Sequence, residues 1–215
     1  MAHYFPIFLT IEDSRCVVVG GGEVAARKAG ALLAAGARVT AVAPAFCTRF
    51  DALDAVERLS QTYDAAVLEG ARIVIAATDD PDVNEAVSRD ARAAGALVNV
   101  VDEPALCDFI VPATVSRGDL TLSVSTGGAC PALSARIRRE LEDAYPEAYA
   151  DFLDLLREIR EEMRGIVDDV HQRGAMLKRL AGYEFLASFV EDGPEVTRRR
   201  MRRFLAEETR HADGG

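Results

Sequence analysis

The chain is short of several things, and each shortage removes a class of function. Of its 215 residues only 4 are cysteine, and Cys16, Cys47, Cys107 and Cys130 lie far apart with no C-x-x-C pair among them. Neither a disulfide framework nor a structural zinc site is expected. The 3 histidines, His3, His171 and His211, show no metal-ligand spacing to one another or to a cysteine, so no protein-held metal is expected. Positive charge is scarce: 25 Lys+Arg stand against 35 Asp+Glu, a formal net charge of −10. A nucleic-acid partner would need a strong local exception to that balance. No apolar run reaches the roughly 20 residues that span a bilayer. The start, Met1 to Pro6, has no basic stretch leading into an apolar one. The expectation is a cytoplasmic protein that does not engage membranes. Repeats and low-complexity segments are also missing.

What is present is enough apolar matter to fold, 49% hydrophobic with 28% charged. It is organised around one stretch, Arg15 to Arg27. The run Val17–Val19 stops at Gly20, Gly21 and Gly22, and a helical pattern follows at once. Val24, Ala25, Ala29, Leu32 and Leu33 lie on its apolar stripe, with Arg27 and Lys28 off it. Gly20-x-Gly22-x-x-Ala25 fits the dinucleotide fingerprint in its G-x-G-x-x-A form. The first glycine permits a sharp turn, the second lets a pyrophosphate approach the backbone, and Ala25 lets helix and strand pack closely. The free N–H groups of the helix N-terminus favour phosphate. The other reading is a glycine-rich turn in an ordinary α/β protein.

Further strands are expected at 39–42, 56–59, 72–76 and 96–100. The first helix should end at Gly36, and a second should run from Pro81 to about Ala94 with Asp80 as its cap. Strand and helix alternate from 15 to 100, which implies a parallel, doubly wound sheet. The alternation then breaks. Strands are expected at 109–115 and 120–125 around a hairpin turn at 116–119, followed by a helix from Pro131 to Tyr145. From Pro146 on everything reads helical. Phe152, Leu155, Leu156, Ile159, Met163 and Ile166 form one amphipathic stripe. Gly174, Gly182 and Gly193-Pro194 are expected to separate three shorter helices, and the tail from His211 should fray. The basic run Arg198 to Arg203 reads as a solvated helix face paired with acids such as Glu195 and Glu207, and His171 as solvent-exposed.

Three places bear on chemistry. Where NAD-binding units carry an acid about 20 residues after the glycines, this chain reads Val42-Ala43-Pro44, with no arginine before Arg49. NAD and NADP are not distinguished by that rule, and backbone or Thr40 contacts are left to hold the ribose. Asn99-Val-Val-Asp102 sits where ligands bind in open α/β sheets, and Asp102 reads equally as a general base or as a cap on the turn before Pro104. Ser123 to Pro131 offers hydroxyls and glycine N–H groups ahead of a helix, either an anion cradle or a plain strand-to-helix turn. Cys107 and Cys130 read as small buried fillers. No tyrosine supplies a Tyr-x-x-x-Lys pair, which excludes short-chain dehydrogenase chemistry.

Taken in order and spacing, four stretches resemble the precorrin-2 dehydrogenase / sirohydrochlorin ferrochelatase family, the N-terminal type of siroheme synthase in its stand-alone form. They are Tyr4–Leu9, Val17–Gly22 with Ala25 and Lys28, Asn99–Asp102 followed by Cys107–Pro112, and Ser125–Leu133. The resemblance implies an α/β Rossmann-type parallel sheet over 1–113, a small α+β dimerisation region over 114–145 and a helical C-terminal domain over 146–215. It implies NAD-dependent oxidation of precorrin-2 to sirohydrochlorin by a homodimer, with Fe2+ insertion as a second activity of many members. Asp102 falls on the family's catalytic aspartate. The expected cofactor contacts are Gly20, Gly21, Gly22, Glu23, Val24, Ala43, Pro44, Thr78 and Asn99. A polycarboxylate tetrapyrrole on so acidic a chain needs local cations, and Arg117, Arg136, Arg138 and Arg139 flank the turn at Ser125, Thr126, Gly127 and Gly128. Two positions depart from the family: Cys130 stands for the usual serine before proline, and Thr126 for a serine that is phosphorylated in some members. The rival reading is a non-catalytic NAD-binding regulatory module.

Overall fold

The computed structural model describes residues 4–212; His3 and the end of the tail, 213–215, lie outside them. The chain divides into two compact units, one ending at Val111 and the other starting at Pro112.

In the first unit the β-branched runs become β1 (Arg15–Val19), β2 (Arg38–Ala43), β3 (Glu57–Ser60), β4 (Ile73–Ala76) and β5 (Leu97–Val100). They form one parallel sheet in the order β3-β2-β1-β4-β5. The chain winds outward from β1 to β3, then returns to β1's other side for β4 and β5. That reversal opens a crevice at the carboxyl ends of β1 and β4. Period-two alternation feeds two cores. Cys16, Val18, Ile73 and Ile75 pack with Ala25, Ala29 and Leu32 of α1 (Glu23–Ala34) on one face. Val17, Val19, Val74 and Ala76 pack with Val87 and Ala91 of α2 (Pro81–Ala93) on the other. Strands buried on both faces must be apolar, as Cys16–Val19 of β1 and the whole of β4 are.

The helices end as their local chemistry dictates. Gly36 (φ +79°) donates to the Leu33 carbonyl at 2.9 Å, and Ala37 donates to Leu32 at 3.1 Å, closing α1 in a left-handed C-terminal turn. The Asp80 carboxylate accepts from the N–H groups of Asp82 and Val83, with Pro81 at the first helical position.

The outer edge of β5 is covered by residues 107–109. Asp108 N–H donates to the Val98 carbonyl at 2.8 Å, and the Asp108 carboxylate accepts from Val98 N–H at 3.1 Å. Asn99 Nδ2 donates to the Phe109 carbonyl at 2.9 Å. An open sheet edge is thereby closed without another strand. The strand expected from Phe109 starts only at Ala113, and Asp108 and Phe109 are engaged by β5 instead.

The second unit opens with an antiparallel hairpin, β6 (Ala113–Arg117) and β7 (Leu120–Val124), with Gly118 (φ +57°) in the two-residue turn. Five helices follow: α3 (Pro131–Ala144), α4 (Ala148–Arg164), α5 (Val170–Leu180), α6 (Tyr183–Asp192) and α7 (Pro194–Ala212). Phe152, Leu155, Ile159, Met163, Met176, Leu180, Phe185, Phe189, Met201 and Leu205 form their core.

Three expectations are corrected here. Ile166 is off the stripe and 56% exposed, because α4 ends before Gly165 and the helical phase is lost; Val167 is buried instead. Gly174 lies inside α5, whose Met176 and Leu180 anchor it to the core. The last helix is 19 residues long and takes in His211 and Ala212, where the tail is expected to begin; 213–215 lie outside the described residues. Its basic run pairs across helices as well as along its own. Arg198 and Arg202, one turn apart, meet Glu158 at 3.0 Å each. Arg202 also pairs with Glu162 of α4 and Arg198 with Glu195. The hydrogen bond from Arg202 holds the Glu162 carboxyl below the usual carboxylate range. Among the described residues, no helix is long and apolar enough to cross a membrane.

Ile159 is fully buried in α4, whereas Ile166 is not. Truncating Ile159 to Ala should cost about 2–5 kcal/mol in urea unfolding, and truncating Ile166 no more than about 0.5 kcal/mol. Equal losses would show the stripe to be phased differently.

Candidate active site

The site is built outward from the glycine turn at the end of β1. Gly20 N–H donates to the Val42 carbonyl at 2.9 Å, and Ala77 N–H to Val19 at 2.8 Å, so the turn is pinned from both neighbouring strands. Gly20 has φ +136°, and a Cβ there would fall on the Ala77 carbonyl. The loop after β2 crosses Gly21. Cys47 N–H donates to the Gly21 carbonyl at 2.8 Å, and a Cβ on Gly21 would overlap Ala45 O and lie 2.9 Å from Ala43 Cβ. Gly22 differs: nothing lies within 4 Å of where its Cβ would be. It caps α1 with no side chain, so the first N–H groups of α1, including those of Glu23 and Val24, have no helical partner. An uncapped helix start beside an open glycine fits the pyrophosphate of a dinucleotide.

The neighbouring residues are more committed than their sequence suggested. Thr40 is buried in the middle of β2 and donates to Glu57 Oε2 at 2.9 Å, so its hydroxyl is not at the ribose end of the crevice. Ala43 is buried and Pro44 exposed, and neither carries charge. Arg49 comes from the 3-10 turn Thr48–Ala52 and lies 3.5 Å from Glu23, both exposed. Thr78 donates to Asn84 Oδ1 at 2.8 Å and accepts from Asp80 N–H at 3.2 Å, which fixes the entry to α2. Asn99 is buried and turned to the Phe109 carbonyl, so its amide holds the sheet edge.

Asp102 sits on the turn that leaves β5. It has φ +63°, the left-handed region, which Asp tolerates better than most residues but still at a cost. Val101 N–H donates to the Ala76 carbonyl at 2.9 Å. Cys107 Sγ accepts from Val100 N–H at 3.1 Å, and its S–H has the carbonyls of Val100 (3.2 Å) and Glu103 (3.3 Å) in reach. Cys107 is therefore a staple for this turn and no mere filler. The Asp102 carboxylate is exposed and makes no hydrogen bond or ion pair among the described residues. It does not cap the turn before Pro104. Parallel strands bring the turns after β1, β4 and β5 to one edge of the sheet. β5 lies two strands from β1, about 10 Å at the usual spacing.

Lys28 belongs to this group, although its spacing placed it off the apolar stripe. It is half-buried on α1, between Ala25 and Leu32. Val101 and Phe109 pack against the core that α1 shares with the sheet. Burial lowers its pKa first and Arg27 second, while Cys107 and Asp102 act in the opposite direction.

In the second unit, Gly127 (φ +62°) and Gly128 (φ +86°) lie in the turn before α3. Ser125 Oγ accepts from Gly127 N–H at 3.0 Å, Thr126 Oγ1 accepts from Cys130 N–H at 3.1 Å, and Ser134 Oγ lies 3.2 Å from Thr126 Oγ1. Both hydroxyls thus shape the turn itself. Cys130 is exposed, not buried. Arg117 is committed elsewhere: it donates to the carbonyls of Tyr145 (2.8 Å) and Glu142 (3.3 Å), closing the C-terminus of α3. Arg136 lies 3.3 Å from Glu140, and Arg138 pairs with Glu142. Arg139 is exposed with no ion pair among the described residues.

A doubly wound parallel sheet, a glycine turn and an uncapped helix start are the features of a dinucleotide-binding protein of Rossmann type. Residues 7–113 match the family model described as "Putative NAD(P)-binding", and residues 117–144 match that described as "Sirohaem biosynthesis protein central". The siroheme synthase of Thioalkalivibrio sulfidiphilus is 37% identical over 216 residues, 98% of this chain and 44% of that protein. That of Pseudomonas putida strain F1 is 45% identical over 173 residues, 79% of this chain and 37% of that protein. A solved structure described as "SirC, precorrin-2 dehydrogenase" shares the fold, with a TM-score of 0.75 at 24% identity, covering 95% of this chain and 100% of that one. The chain belongs to the siroheme synthase family, of the type built from an NAD(P)-binding domain and the sirohaem central region. It spans less than half the length of the siroheme synthases named here.

The two inner glycines should separate by experiment. Gly21→Ala is expected to lower Tm by at least about 5 °C, since the clash is with backbone. Gly22→Ala should leave Tm within about 3 °C and weaken titrated NAD+ binding at least about tenfold. Unchanged NAD+ binding in Gly22→Ala would place the pyrophosphate elsewhere.

Proposed function

We propose that this protein oxidises precorrin-2 to sirohydrochlorin with NAD+ as oxidant, in sirohaem biosynthesis. The observation that carries the reading is Asp102: an unpaired carboxylate in a left-handed turn, at the sheet edge that also holds the glycine turn. When bound, NAD+ supplies the hydride acceptor. The oxidation removes a hydride and a proton from the reduced tetrapyrrole, and Asp102 takes the proton. Its carboxylate has no competing donor to displace, and the Cys107 staple holds the backbone of the turn that carries it. Gly22 and the first N–H groups of α1 hold the pyrophosphate. Ala43 and Pro44 offer neither an acid to the ribose hydroxyls nor a cation to a 2′-phosphate, so the choice of NAD rests on the family resemblance.

The substrate is a polycarboxylate. Arg136 and Arg139 on α3, with the backbone of Ser125, Thr126, Gly127 and Gly128, are its proposed cradle. Arg117 drops out because its donors are spent on α3. Residues 114–145 are the proposed dimerisation region of a cytoplasmic homodimer. In support, β6 and β7 form a two-stranded sheet whose outer edges have no strand neighbour among the described residues. Fe2+ insertion into sirohydrochlorin is the second activity of this reading, with Asp102 accepting the protons released from the pyrrole nitrogens.

Asp102→Asn keeps a residue that tolerates the left-handed turn. It should retain NAD+ affinity and Tm while NADH formation from precorrin-2 falls about 100-fold or more. Wild-type turnover in that variant would remove Asp102 as the base and favour a regulatory module. For the second activity, the wild-type protein should speed the Fe2+-dependent change in sirohydrochlorin absorption, and a rate equal to the uncatalysed one would eliminate it.

A further inference from the structure

We propose that the groove between α4 and α5 is a second binding site, which takes one edge of a polycarboxylate tetrapyrrole through residues that the active site does not use. The ligand class rests on the reaction proposed above; the site rests on the helical unit alone.

Helical spacing builds the groove. Arg160, Met163 and Arg164 share one face of α4. Val170, Arg173, Gly174 and Leu177 share one face of α5. The two faces enclose a cavity of about 270 Å3. Its floor is apolar: Met163 is buried, Leu177 half-buried and Val170 67% exposed. Gly174 keeps it open. Nothing lies within 4 Å of where a Cβ on Gly174 would be, so packing does not demand glycine there. A glycine inside a helix is a cost that most other residues would remove. Any side chain in its place would project into the cavity, because Gly174 is part of the wall.

The rim is cationic, on a chain of net charge −10. Arg173 Nη1 donates to the carbonyls of Val167 at 2.6 Å and Asp168 at 2.8 Å. Those bonds hold the guanidinium in place and leave its charge uncancelled. Arg160 is exposed and makes no hydrogen bond or ion pair among the described residues. Arg164 is paired with Glu161 at 2.6 Å and contributes least. The nearby Asp169 carboxylate is taken up by the N–H groups of His171 and Gln172 at the start of α5.

A ligand that matches this groove is apolar at its centre and anionic at its edge. A flat conjugated ring bearing carboxylates meets both demands, since guanidinium groups stack on π faces and bind carboxylates through paired hydrogen bonds. The cavity is at the small end of ligand sites. It therefore takes one edge of the macrocycle with its carboxylate side chains, and the rest stays in solvent. Such a site keeps the tetrapyrrole on the protein before or after its oxidation.

Equilibrium dialysis of sirohydrochlorin against the whole chain, read by absorption, tests this. The wild type should bind in two classes of site. Gly174→Leu should lose the weaker class with Tm held, because leucine suits a helix better than glycine, and with kcat for NADH formation from precorrin-2 unchanged. Arg160→Glu should weaken that class about tenfold or more. Benzenehexacarboxylate, which has the charge without the extended apolar face, should not displace it. A single class of site in the wild type overturns the proposal, as does a second class that Gly174→Leu leaves intact. Displacement by benzenehexacarboxylate overturns it too, because the groove would then take any polyanion. If Gly174→Leu does not fold, equal affinity of Arg160→Glu and wild type for the weaker class overturns it instead. Dialysis reads binding alone. A chain that fails to oxidise precorrin-2 would still show the second class if the groove is right, and one that oxidises it normally would lack that class if the groove is wrong.

Discussion

A side chain at Gly21 would have to share space with the Ala45 carbonyl oxygen. The nucleotide end of the first unit depends on that exclusion. With no Cβ in the way, the loop after β2 lies directly over the turn and Cys47 N–H reaches the Gly21 carbonyl. Gly20 admits Ala77 on the other side by the same means. The turn is thus clamped by the connections leaving β2 and β4, and only Gly22 is left facing open space. A loop held in this way does not have to be ordered by the ligand, so less of the binding free energy is lost to entropy.

The other end of the site obeys a different constraint, the unpaired edge of β5. Residues 107–109 satisfy that edge with a mixture of backbone, carboxylate, amide and thiol groups. The chain can then turn sharply between Val100 and Cys107, and Asp102 is left in the left-handed region at the tip. Edge closure and carboxylate presentation are one piece of structure. A substitution at Cys107 or Asn99 would reach the chemistry by loosening the turn, although neither side chain needs to touch a ligand.

The fold was readable from the sequence wherever local pattern and burial agree. Strands buried on both faces give continuous β-branched runs, and Asp80-Pro81 and Gly36 mark helix ends by mechanisms local to a few residues. Asp102 was readable because its place, at the carboxyl end of β5, follows from the strand pattern. The misreadings share a cause, interactions between residues distant in sequence. Phe109–Pro112 is as apolar as a strand, yet the bonds that divert residues 107–109 come from partners some ten residues back. Gly174 lies within a helix because tertiary packing at Met176 and Leu180 outweighs a propensity cost of about 1 kcal/mol. Arg117 looked like a free cation until α3 brought two bare carbonyls to it.

Charge connects these observations. A chain of net −10 would have to oppose its own field to take the proposed polycarboxylate substrate. Much of its positive charge is already neutralised. Arg198 and Arg202 meet α4's acids, Arg138 meets an acid one turn along α3, and Arg49 meets Glu23. Exposed pairs of this kind contribute little stability, but each cancels a charge that would otherwise attract an anion without specificity. Arg139 on α3 is a cation that no acid neutralises by direct pairing among the described residues. A few uncancelled charges on an acidic surface define a substrate's approach more sharply than many scattered ones, because the surrounding field repels the anion everywhere else.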